Sequence, residues 1–334
     1  MRILGIETSC DETGVAIIDC KTPSEKVAII SNKLASSIAL HSKTGGIIPD
    51  IAAREQVKYM IPVLESALKN LTKKPESAVD AIAVTVGPGL IGSLLVGVET
   101  ARTLAYVWKK PIIPVNHLIG HIYANFVSEK SKIKNQKSKI TFPAIALVVS
   151  GGHTDLVLLK DHGKIKWLGG TRDDAAGEAF DKIGRLLNLP YPGGPSIEKE
   201  ALKGNPKKYI FPRPMIGSED FDFSFSGLKA AVFREINSLK DLDSQTVSDI
   251  SCAVQEAIIE VLVKKTLKAG QKYNVKSILL GGGVAANNKL KDRFELEIKN
   301  LKLEIPFFIP EKSLCTDNAA MIASAAFYNY KPVD

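Results

Sequence analysis

Apolar residues along the chain fall first into short runs divided by polar turns. Residues 2–7, 15–19 and 27–31 each read as a β-strand, with Thr8-Ser9-Cys10-Asp11-Glu12-Thr13-Gly14 as the first turn, so the chain opens as a β-meander. The period then changes. Ile51, Val57, Ile61, Leu64 and Leu68 recur at helical spacing across 49–71, a β-type run follows at 81–86, and Gly87-Pro88-Gly89 ends it. Small residues through 91–102 suit a helix packed closely on a sheet, and 111–115 suits one more strand. The same plan restarts at 144–150, with strands at 155–159 and 164–169. A helix over 174–188, a second over 245–269, strands at 277–280 and 305–309, and an Ala-rich helix from Thr316 complete the second half. Residue identities between the halves are few, so the pattern is an architectural duplication and not a sequence repeat. It predicts two α/β lobes with a cleft between them, where ligands meet strand ends and loops.

Length and composition agree with two domains. A chain of 334 residues, with 45% hydrophobic and 24% charged residues, has the balance of a globular protein and not of a disordered or collagen-like one. Cys10, Cys20, Cys252 and Cys315 form no C-x-x-C pair, which speaks against a zinc ribbon or a disulfide scaffold and for a reducing cytoplasm. Glu7 stops the first apolar run before it could serve as a signal peptide, and no run is long enough to span a membrane, so no membrane partner is expected. The net charge of +8 is too small to name a partner by itself. Half of it lies in 128–141, where Lys130, Lys132, Lys134, Lys137 and Lys139 face only Glu129.

The sharpest chemical signal is His117-Leu118-Ile119-Gly120-His121, with Asn116 placed as a helix N-cap. Spacing of i, i+4 puts both imidazoles on one helix face, where they can share a metal or simply be two satisfied surface histidines. Leu118 stands where a zinc peptidase motif needs Glu, which argues against proteolysis. A third ligand must come from far along the chain. Asp317, in Cys315-Thr316-Asp317-Asn318, could supply it or could serve only the dipole of the last helix. Glycine turns at Ser150-Gly151-Gly152-His153, Pro192-Gly193-Gly194-Pro195 and Gly281-Gly282-Gly283 let backbone amides approach an anion, yet none matches a P-loop or a dinucleotide fingerprint. Asp174, Glu178, Asp181 and Arg185 share a helix face, either as a solvated stripe or with Asp181 set to accept from ribose hydroxyls.

Taken together and in order, these stretches resemble the TsaD family of tRNA threonylcarbamoyltransferases, whose archaeal and eukaryal members belong to the KEOPS complex. The resemblance rests further on Gly5-Ile6-Glu7-Thr8-Ser9-Cys10-Asp11-Glu12-Thr13, Gly45-Gly46-Ile47-Ile48-Pro49, Asp174-Ala175-Ala176-Gly177-Glu178-Ala179-Phe180-Asp181-Lys182, Phe223-Ser224-Phe225-Ser226-Gly227-Leu228-Lys229 and Gly281-Gly282-Gly283-Val284-Ala285-Ala286-Asn287. It implies an actin/hexokinase/Hsp70-like fold of two RNase-H-like lobes. The expected division is 1–127 plus 316–334, a basic linker at 128–141, and 142–315.

The implied reaction moves a threonylcarbamoyl group from threonylcarbamoyl-AMP to N6 of adenosine 37 in tRNAs that read codons beginning with A. Implied metal ligands are His117, His121 and Asp317, a set suited to one Fe²⁺ per subunit or to Zn²⁺. The adenylate would meet Val148, Val149, Ser150, Gly151, Gly152, Asp181, Gly194, Glu198 and Asn287. Asp11 and Glu12 are expected to bind or deprotonate the incoming amine. Bacterial members work with a metal-free paralogue, TsaB, and an ATPase, TsaE. Where the family commonly has an aromatic residue and a His, this chain has Thr44 and Gln56, a departure expected to touch partner contacts more than chemistry. The rival reading is an ATP-binding, actin-like protein whose lobes only switch conformation.

Overall fold

A computed structural model describes residues 1–22, 27–69, 71, 74–129 and 139–329. Two compact units divide the chain, Met1–Lys139 with Pro310–Asp334, and Ile140–Ile309.

In the first unit β1 (Arg2–Glu7), β2 (Glu12–Asp19) and β3 (Val27–Ser36) form the antiparallel meander. A short helix α1 (Ile38–Thr44) and a long one, α2 (Pro49–Leu68), follow. Then come β4 (Ala81–Gly87), α3 (Ile91–Trp108), β5 (Ile112–Asn116) and α4 (His117–Tyr123). A last strand, β6 (Val127–Glu129), gives the sheet order β5-β4-β1-β2-β3-β6.

The second unit begins with β7 (Ala144–Val149), β8 (Thr154–Asp161) and β9 (Lys164–Gly170). Helices α5 (Ala176–Leu186), α6 (Gly193–Ala201), α7 (Ser226–Ser238) and α8 (Ser244–Lys272) lead to β10 (Ser277–Gly281). After α9 (Asn288–Asn300) and β11 (Phe307–Phe308) the sheet reads β11-β10-β7-β8-β9. Both sheets thus use one plan: a meander of three antiparallel strands with two parallel strands added beside the first. The duplication anticipated from the strand pattern is present as topology.

Burial explains why β1 and β2 read as apolar runs. Leu4, Ile6, Val15 and Ile17 pack on Met60, Val63 and Leu64 of α2, while the opposite face carries the terminal helix α11 (Ala319–Asn329). Gly5 makes that approach possible, because a Cβ built there would lie 2.3 Å from the carbonyl oxygen of Ala319. On α11, Ala319 through Ala326 are buried, so its small side chains are what let it lie on the sheet.

Two expected boundaries shift. Ser128 and Glu129 belong to the first unit's sheet and not to a linker, since β6 pairs with β3 and Ser128 is buried. The C-terminal return to that unit begins at Pro310 and not at Thr316, because α10 (Lys312–Cys315) buries Leu314 and Cys315, and Leu314 lines a cavity with Ile29, Ile30 and Ala67. Residues 130–138, which hold most of the basic segment, lie outside the described residues. Among the described residues no helix is long and apolar enough to cross a membrane.

Candidate metal centre

Strand β5 hands the chain to α4 through Asn116, whose Oδ1 accepts from the amides of Leu118 (2.9 Å) and Ile119 (3.3 Å), as an N-cap should. His117 and His121 then lie one turn apart, both buried, with ring centroids 4.6 Å apart. Asp317 reaches the same point from the far end of the chain. Its Oδ1 is 3.5 Å from His117 Nε2 and 3.2 Å from His121 Nε2, and the three ligand atoms lie within 4.8 Å of one another. At the start of α11 it is Asn318 that accepts from the amide of Met321 (3.0 Å).

Among the described residues neither ring nitrogen of His121 makes a hydrogen bond, the 3.2 Å approach of Asp317 to Nε2 being an ion-pair contact only, although the residue is fully buried. An orphaned imidazole nitrogen beside a carboxylate and a second imidazole is the donor set of a divalent transition metal. The residues present therefore fit such an ion.

Glu7, at the end of β1, completes the surroundings. Its buried carboxylate accepts from Ser9 N (2.6 Å) and Thr85 Oγ1 (2.5 Å) and lies 3.2 Å from His117 Nδ1. Ser9 Oγ is also 3.2 Å from that nitrogen. Burial opposes a charged imidazole at His117, but the Asp317 and Glu7 carboxylates outweigh it and push the group up to about 9. Carboxylates that favour a proton there favour a cation for the same reason. Nothing in the sequence pattern assigns Glu7 a part in the site. Only the β1–β4 pairing and the β5–α4 turn bring it to His117.

The first turn carries Asp11 and Glu12. Burial, then Asp317 and Asp11, hold the Glu12 carboxyl well above the usual carboxylate range, and a hydrogen bond joins it to Asp11. Burial and the same carboxylates push the Cys10 thiol up, which favours its uncharged form. Gln56 pins this turn from α2: its Nε2 is 3.2, 2.8 and 3.1 Å from the carbonyl oxygens of Thr8, Cys10 and Glu12. Gln56 is fully buried, which corrects the expectation that its departure from the family pattern touches partner contacts. It bears on the turn beside the metal ligands.

In the second unit the expected nucleotide residues are gathered by a closed ring of contacts. Val148 and Val149 end β7, and Ser150 O accepts from Gly177 N on α5 (3.1 Å). Asp181 Oδ1 accepts from Gly193 N at the start of α6 (2.7 Å). Glu198, on α6, accepts through Oε1 from Asn288 N (2.8 Å) and Nδ2 (3.0 Å). Gly282, with φ +92, brings the chain back against the carbonyl of Val149, where no Cβ would fit. Gly151 and Gly152 are exposed with open space where a Cβ would be, so their backbone can be approached closely.

Two expected ligand groups also have structural work. Asn287 caps α9 through Oδ1 to Leu290 N (3.0 Å) and donates from Nδ2 to Gln255 (3.0 Å). Burial raises Asp181 although the amides of Gly193 and Gly194 oppose it. The Phe223 to Lys229 motif, unassigned from sequence, anchors the turn before α5. Asp173 accepts from Ser224 Oγ (2.5 Å) and Phe225 N (2.8 Å), and Asp174 pairs with Lys182 (2.7 Å) and Lys229 (2.9 Å).

Residues 28–324 match the family model for tRNA N6-adenosine threonylcarbamoyltransferase, TsaD. Proteins of that name from Moorella thermoacetica and Thermomicrobium roseum are 49% and 46% identical to the chain, each over 98% of it and 92% of the relative. Among solved structures, HypF from T. kodakarensis superposes with a TM-score of 0.57 at 16% identity, covering 98% of this chain and 47% of that one. Full-length HypF in its phosphate- and nucleotide-bound form gives 0.58 at 11%, over 97% and 54%. The chain thus spans about half the length of the HypF chains, and at these identities the likeness is one of fold.

Proposed function

From the chain's membership of the tRNA N6-adenosine threonylcarbamoyltransferase family, which the comparisons establish, we propose a reaction in which threonylcarbamoyl-AMP is the donor. The chain is a transferase that forms threonylcarbamoyladenosine at adenosine 37 of tRNA. The observation that carries the reading is the convergence of His117, His121 and Asp317, which a protein that only switched conformation would not need.

His117, His121 and Asp317 would hold the ion, with Fe²⁺ the first candidate and Zn²⁺ the second. Bound there, a divalent ion supplies Lewis acidity to a carbonyl oxygen. N6 of adenosine attacks the carbamoyl carbon, the new C–N bond forms, and AMP leaves with the electrons of the broken C–O bond. Asp11 and Glu12 would bind or deprotonate the incoming amine, with Asp11 taking the proton while the raised Glu12 carboxyl stays hydrogen-bonded beside it. In the second unit, the open backbone of Gly151 and Gly152 would receive the adenylate at the ends of Val148, Val149 and Ser150. Asp181, Gly194, Glu198 and Asn287 would shape that place, with Glu198 and Asn287 acting mainly by holding α6 and α9. We read each unit as one RNase-H-like lobe of an actin-type protein.

A TsaB-like paralogue and a TsaE-like ATPase are the partners we expect, in the cytoplasm. An apolar face supports a protein partner: Val57 and Ile61 on α2 and Ile91 and Leu95 on α3 are 65%, 55%, 75% and 51% exposed, where Ala53 packs on Gly92.

Nucleoside analysis of tRNA from cells depleted of the protein tests the reading. Threonylcarbamoyladenosine should fall and return with the wild-type gene but not with His117→Ala; normal levels after depletion would remove the reading. Asp11→Ala with undiminished transfer would remove the role given to that turn.

A further inference from the structure

One of the strongly basic stretches of the second unit lies on an ordered loop. Across Ile140–Ile309 there are 24 Lys and Arg against 21 Asp and Glu, and within 199–213 there are five against one, which leaves 19 against 20 for the rest. The segment is the end of α6 and the loop after it, and its local balance of five against one exceeds the whole unit's excess of 24 against 21. Arg213 is committed to Glu260 (3.0 Å), and Lys203 pairs with Glu200 (3.0 Å). Lys199, Lys207 and Lys208 are exposed; Lys199 lies in the field of Glu200, and among the described residues Lys207 and Lys208 form no ion pair.

The loop is held, and that distinguishes it from a solvated lysine tail. Gly204 lies so close on α8 that a Cβ would meet the carbonyl oxygen of Ser248 at 2.1 Å. Asn205 N donates to Asp249 Oδ1 (2.8 Å), and Asn205 accepts in turn from the amides of Lys207 (3.0 Å) and Lys208 (3.2 Å). The two lysines leave a fixed turn and pay little backbone entropy on binding. Beside them Ile210 is 89% exposed, and Tyr209 stacks on Phe211 at 6.3 Å. Ordered cations beside apolar and aromatic surface form a face for a polyanion whose sugars can cover the apolar part.

We propose that residues 199–213 are a contact surface for the phosphate backbone of the tRNA substrate, with Lys199, Lys207 and Lys208 as the contacting cations. The inference rests on the family's use of tRNA.

The test is the salt dependence of tRNA binding by the full chain. Replacing Lys199, Lys207 and Lys208 by Ala should make the slope of log affinity against log salt shallower by about two to three, and each single replacement by about one. Lys160→Ala, Lys164→Ala and Lys166→Ala together remove equal charge from the exposed β8–β9 hairpin and should leave the slope unchanged. Equal slopes for wild type and the 199/207/208 variant overturn the proposal, because the face then serves something other than RNA. A wild-type chain with no salt-dependent tRNA binding overturns the functional reading on which it rests.

Discussion

At the scale of single residues, Glu7 decides how His117 can act. An imidazole must present a lone pair to a metal, and a carboxylate on its other nitrogen fixes the ring and keeps the proton on that side. Glu7 does this at Nδ1 while Ser9 N and Thr85 Oγ1 hold it in place, which leaves Nε2 for the ion. Glu7→Gln should lower metal affinity about 10–100-fold in a chelator competition, with the fold intact. Unchanged affinity would make Glu7 a packing residue only. The His pair was legible in the sequence because its spacing is local, whereas Glu7 was not, because its partner arrives across a parallel strand pair and a turn. Asp155 gives a pH-dependent case. It is buried on β8, among the described residues its Oδ2 has no hydrogen-bond partner, and burial raises it to about 7. Between its ordinary value near 4 and 7, the native state keeps a proton that the unfolded chain releases. This group therefore lowers stability as pH rises through that window and adds no further change above it. Asp155→Asn should lack that decline and be more stable at pH 8 by about 1–3 kcal/mol, as denaturant titrations at pH 5 and pH 8 would show.

At the scale of elements, the metal site depends on how near α11 can lie to β1 and α4. Gly5 admits the helix on one side, and on the other a Cβ at Gly120 would meet Ile322 at 2.7 Å. Ser324 Oγ donates to the carbonyl of Tyr123 (3.0 Å) and sets the level of α11 against α4. Gly5→Ala should push α11 outward and carry Asp317 away from the histidines. The expected result is a loss of about 1–3 kcal/mol in stability together with weakened metal binding, whereas Gly151→Ala, with open space around it, should do neither. Measuring both variants by thermal unfolding and metal titration separates a packing fault from a general sensitivity to lost glycine. Helix α6 shows why some elements escaped sequence reading. Pro192-Gly193-Gly194-Pro195 has the composition of a turn, yet Asp181 accepts the amide of Gly193 and makes it a helix start. A long-range partner replaced the local cap on which such a prediction depends. The boundary of the first unit moved to Pro310 for a similar reason, since α10 has no strong periodicity and is placed by burial of Leu314 and Cys315.

For the whole molecule, the chain path makes metal binding a property of one unit. His117 and His121 come from the middle of the first unit, and Asp317 comes from the segment that returns to it after all of Ile140–Ile309 has been made. An ion at this site would bridge the two pieces of that unit, since all three ligands belong to it. Ligand binding to the native state stabilises by about 2.7 kcal/mol at a hundredfold excess over Kd. Chelation should therefore destabilise the first unit by an amount of that order and leave the second unit unchanged. Hydrogen exchange resolves the two. After metal removal, amides of β1, α4 and α11 should exchange faster, and those of β7, β8 and α8 should keep their rates. Equal loss of protection in both units would mean that they unfold as one cooperative body, and equal retention in both would mean that the three ligands hold no metal.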